Sequence, residues 1–72
     1  MLNEIIAKNM IENYLNKNCI GEYYIVSIKS RLEQMDYEFK IFERNCYGQP
    51  NSYSLYINYN GIIVDTLRNL SN

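Results

Sequence analysis

The spacing of apolar residues changes once along this chain, at Gly21, and that change limits the fold more than any other feature. Before it, Leu2, Ile6, Met10 and Tyr14 recur at every fourth position, and Ala7, Ile11 and Leu15 form the adjacent row. Two such rows make one broad apolar stripe on a helix, with Lys8, Asn9, Glu12 and Asn16 opposite. Asn3 can cap the start, Glu4 suits the first turn, and Lys17 and Asn18 suit the exit. The spacing predicts a helix over residues 3–17, with Ile5 the misfit on the polar side.

After Gly21 the period is two. Residues 22–30, dense in Tyr, Ile and Val, read as a strand whose core face is Tyr24, Val26 and Ile28 rather than the shorter set Tyr23 and Ile25. A second strand over 35–44 turns Met35, Tyr37, Phe39 and Ile41 inward and Asp36, Glu38 and Lys40 outward, with Phe42 on the polar side. Residues 45–51, with Gly48 and Pro50, form a loop. The third strand, 52–59, sets Tyr53, Leu55, Ile57 and Tyr59 against Ser54, Tyr56 and Asn58. Asn60-Gly61 then predicts a two-residue type I′ turn into a fourth strand, 62–68. That turn places Ile62, Val64 and Thr66 on the core face and Ile63, Asp65 and Leu67 on the other. The expected class is α+β: an N-terminal helix packed on a four-stranded antiparallel β-meander, a two-layer sandwich in one domain, residues 1–72.

Seventy-two residues lie far below the length at which one core gives way to two. The composition narrows the chemistry. The chain has no histidine, which removes the usual general base near neutral pH and the commonest metal ligand. Cys19 and Cys46 are too few for a structural zinc site, and Gly21, Gly48 and Gly61 are too scattered for a phosphate-cradling loop. No catalytic residue, cofactor or metal ligand is therefore expected. Charged residues interrupt the N-terminal apolar stretch, so neither a signal peptide nor a membrane span is expected, and the expected location is cytoplasmic with both thiols reduced. With seven basic residues against eight acidic ones and a pI of about 5.2, nucleic acid is not an expected partner.

One helix covers one face of a sheet. The uncovered face is expected to carry Tyr23, Ile25, Phe42, Tyr56, Ile63 and Leu67, with Tyr47 in the loop, and these are the candidate partner-binding residues. Tyrosine supplies large, rigid contact area and is enriched at interface hot spots. Asn, Ile, Tyr and Lys make up nearly half of the chain, a mark of an AT-rich genome. The reading is a small non-catalytic binding protein, a stoichiometric inhibitor of the anti-CRISPR or anti-defence type from a phage or mobile element of a low-GC bacterium. It would act by occupying the surface of another protein, such as a defence component. The alternatives are an immunity protein or antitoxin facing a cognate toxin, and a homodimeric structural or regulatory subunit.

Overall fold

The amphipathic N-terminus and the alternating segments after it form the elements their periods call for. The computed structural model describes residues 2–19, 21–68 and 70–71. In order these are α1 (Glu4–Asn18), β1 (Gly21–Arg31), β2 (Asp36–Asn45), β3 (Pro50–Asn58), β4 (Ile63–Asp65) and β5 (Leu70–Ser71). The strands run antiparallel in chain order, with β1 at one edge of the sheet and the two-residue β5 at the other. The class is α+β, as expected, with α1 laid on one face of the sheet.

Asn3 caps α1, its side chain accepting from the Ile6 N–H at 2.9 Å. Ala7, Ile11, Tyr14 and Leu15 are buried, while Ile5 points to solvent. Ile6, expected in the stripe, is also exposed, because the row that meets the sheet is the one through Ala7 and Ile11. Against them lie Phe39 and Ile41 of β2, Leu55 and Ile57 of β3 and Ile63 of β4, all essentially inaccessible. Removing any of these large side chains would cost about 2–5 kcal/mol, a large part of what a chain this size can hold.

Two features of the sheet correct the expected faces. In β1, Ile25 pairs with Ile41 but Ser27 pairs with Lys40, so Val26 is an extra residue in a β-bulge. The bulge inverts the alternation. Tyr23, Ile25 and Ile28 all pack towards the core, while Tyr24 and Val26, expected inside, are exposed. The period-two reading was ambiguous here because each half of the strand obeys a different phase.

The second correction is the last hairpin. Ile57 pairs with Ile63, Tyr56 with Val64 and Leu55 with Asp65, one residue away from the register of a two-residue turn. Gly61 N–H donates to the Asn58 carbonyl at 2.9 Å, and Asn58 N–H donates to the Ile62 carbonyl at 3.0 Å. This is a three-residue loop, a type I turn followed by a left-handed Gly61 (φ +84°). The Asn58 side chain fixes it by accepting from the Asn60 and Ile62 N–H groups, both at 2.9 Å. The β2–β3 loop repeats the device: Asn45 accepts from Tyr47 and Gln49, and Gly48 is left-handed. An Asn-x-x-Gly sequence thus closes both hairpins. Ile63 is core as a result, and Ile62 and Val64 are exposed.

Met35, expected to start β2 inside, instead closes the β1–β2 turn with φ +56° and is exposed. The expected fourth strand over 62–68 stops at Asp65. Its carboxylate accepts from the backbone N–H groups of Leu67 and Arg68, turning the chain towards β5.

Candidate functional site

The fold leaves the sheet face opposite α1 without a second layer among the described residues. The registers place Tyr24, Phe42 and Ser52 in one row across it, and Lys29, Glu38, Tyr56 and Val64 in another, with Lys40 and Ser54 between. The Tyr24 and Phe42 rings are 6.4 Å apart. Tyr56 is held at both ends: its hydroxyl donates to Glu38 at 2.8 Å, and the Arg31 guanidinium lies 4.4 Å over its ring. Arg31 in turn grips Asp36 through two hydrogen bonds of 2.8 and 2.7 Å. Beside Tyr56 runs a shallow groove of about 620 Å³ lined by Lys40, Ser52, Ser54, Thr66 and Leu67.

Of the residues chosen from sequence, Phe42 and Tyr56 lie on this open face, and Leu67, at its border, is exposed. Tyr47 is 87% exposed at the tip of the β2–β3 hairpin. The other three are displaced. Ile63 is 1% exposed because of the longer turn, and Tyr23 and Ile25 pack against the core because of the bulge. Tyr23 also donates to Asn16 of α1 at 2.8 Å. The residues that take their place are Tyr24, Val26 and Val64, which the same two irregularities expose. The Asn58 to Gly61 spacing was the available signal, since Asn at the first and Gly at the fourth position mark a type I turn.

A second constellation, missed from sequence, lies on the helix side. Arg68 reaches under the C-terminal turn and binds Glu43 through two hydrogen bonds of 2.8 and 2.9 Å, Asp65 at 2.9 Å and the Tyr53 hydroxyl at 3.0 Å. Tyr14 of α1 donates to Asp65 at 2.6 Å, and Tyr53 donates to Glu43 at 2.5 Å. Both carboxylates are nearly inaccessible, Asp65 at 0% and Glu43 at 4%. Burial would raise their pKa values, but hydrogen bonds from Tyr14 and Arg68 to Asp65, and from Tyr53 and Arg68 to Glu43, outweigh it and hold both below the usual carboxylate range. Burial and the Asp65 carboxylate push the Tyr14 phenol well above its ordinary value. The Tyr53 phenol is also raised, by burial against the pull of Arg68. Burial and Glu43 push the Cys19 thiol up to about 11. These groups keep one protonation state through the neutral range. The cluster therefore fastens α1, the sheet and the C-terminal turn to one another.

Among the described residues no helix is long and apolar enough to cross a membrane. No family model, curated protein or solved structure matches this chain.

Proposed function

We propose that this chain is a binding protein that acts by occupying the surface of another protein with the open face of its sheet. The observation that carries the reading is the character of that face. Tyr24, Val26 and Val64 are each at least 44% exposed on it, beside Phe42 and Tyr56. Apolar and aromatic groups gathered on one open surface mark contact sites more often than chance scatter does. Tyr56, clamped by Glu38 and Arg31, is already ordered, so docking on it costs little side-chain entropy. Small size, the absence of histidine and the AT-rich composition favour a stoichiometric inhibitor in the cytoplasm of a low-GC bacterium, carried by a phage or mobile element and directed at a defence component.

The test is affinity capture from lysates of low-GC bacteria, with the wild-type chain run beside Phe42→Ser/Val64→Ser. The reading requires a partner retained by the wild type and lost by the double variant, whose circular dichroism is unchanged. A partner retained equally by both would overturn it. A captured toxin in place of a defence protein would replace the inhibitor by an immunity protein, using the same face.

A further inference from the structure

We infer that β1 is a dimerisation edge, through which two copies of this chain pair antiparallel to make one continuous sheet. β1 lies at the sheet edge with no strand beyond it among the described residues. One side of its 11-residue backbone therefore presents N–H and C=O groups with no ladder partner. At about 3.3 Å per residue that row is some 36 Å long, and natural sheets cover, blunt or pair an edge of this length. β5, at the opposite edge, offers two residues.

The sequence of the edge is complementary to itself. With Val26 bulged out of the ladder, a register with its two-fold axis at Ser27 pairs all of β1 but Gly21. Directly opposite residues in an antiparallel pair share a face. Here Ile25 meets the partner's Ile28 on the core side, so the two cores join across the seam. On the open side Tyr24 meets the partner's Lys29, and Glu22 meets the partner's Arg31 at both ends. The Arg31 guanidinium, held on Asp36 and over the Tyr56 ring, reaches inward across β2, so the Tyr24–Lys29 and Ile25–Ile28 pairs carry the seam. Sliding the pairing two residues towards Arg31 shortens the ladder, and sliding it the other way, to an axis at Ile25, keeps nine residues paired but sets Tyr24 against the partner's Ser27 in place of Lys29. A bulge and a lysine are devices that keep an edge from pairing indiscriminately. In this register each has a place, so they select the chain's own copy over other strands. The open faces of both copies stay free, and the pairing stands apart from the partner-binding reading: either can fail without the other.

The test uses the full chain with Cys46→Ser. Directly opposite residues lie about 4.5–5.5 Å apart at Cα, within the range a disulfide spans. Ser27→Cys should therefore cross-link quantitatively to a covalent dimer under mild oxidation, while Lys29→Cys, far from its own copy, should not. Tyr24→Lys sets two lysines opposite each other and should weaken dimerisation about tenfold or more, with Tyr24→Glu dimerising at least as well as wild type. Sedimentation equilibrium reads both, and Ser27→Cys keeps the test valid if either Tyr24 variant misfolds. A wild-type monomer at millimolar concentration overturns the proposal. So does a dimer in which Ser27→Cys fails to cross-link.

Discussion

Arg68→Met would test what holds the C-terminal turn. The substitution keeps an unbranched apolar stem and removes the only cation in contact with Glu43 and Asp65 among the described residues. Taking away one partner of a buried ion pair costs about 3–5 kcal/mol, because the remaining charge is left unpaired and out of water. A chain of this length holds roughly 4–11 kcal/mol in all. With a urea m-value of about 1 kcal/mol/M, the unfolding midpoint should fall by about 3–5 M.

The direction of the pH dependence is the sharper test. In the wild type both carboxylates have lowered pKa values, so their contribution is complete above the unfolded value of about 4 and is lost as pH falls through the folded values. Stability should be flat from pH 7 to 5 and decline below 4. In Arg68→Met, Asp65 keeps Tyr14 and two backbone N–H donors, but Glu43 keeps only Tyr53. Burial then dominates at Glu43 and raises its pKa above the unfolded value. Its proton is bound more tightly in the folded state, so the variant should gain stability as pH falls from 7 to 5. Urea midpoints at pH 7, 6 and 5 read the slope. A loss under 1 kcal/mol, or a variant as flat as wild type across that range, would refute the account of the cluster. Adding Glu43→Gln to Arg68→Met should restore part of the stability at pH 7 by removing the stranded charge.

Two further expectations follow from local geometry. Gly21 sits at φ +128°, and a Cβ there would collide with the Arg44 carbonyl across the ladder, so Gly21→Ala should lose at least about 2 kcal/mol by thermal melting, more than an ordinary glycine replacement. A thiol reagent at pH 8 should modify exposed Cys46 first, since a pKa of about 11 leaves Cys19 with about one thiolate in a thousand; equal rates at the two sites would contradict the placement of Cys19 beside Glu43.

Periodicity made the helix, the meander and most of the core legible in the sequence. Phe39, Ile41, Leu55 and Ile57 fall where alternation puts them. The errors sit at the places where a backbone irregularity changes the phase. Val26 carries no residue type that announces a bulge, so the two phases of β1 looked like competing choices when both are used. Asn60-Gly61 suggested the shorter turn, although Asn58 and Gly61 together specify the longer one, as Asn45 and Gly48 do in the previous loop. Each slip moved apolar residues across the sheet, so the open face was foreseen while part of its membership was not. The Arg68 cluster was invisible because its members lie on four elements and meet only through the fold.

The last hairpin also bears on why the open face is apolar. The shorter turn would have put Ile62 and Val64 under the helix and Ile63 and Asp65 in solvent, a net gain of one apolar side chain that apolar burial alone favours. The chain instead buries Asp65 and leaves Ile62 and Val64 outside, each more than 40% exposed. Two things offset the lost apolar burial. The Asn58 cap satisfies the backbone of the longer turn, and Asp65 receives Tyr14, two backbone N–H groups and Arg68 in place of water. The C-terminal end of the core is therefore held by polar contacts, and apolar side chains that could have filled it stand on the surface with Tyr24 and Val26. The polar network confines the turn to one register and so fixes which side chains face outward.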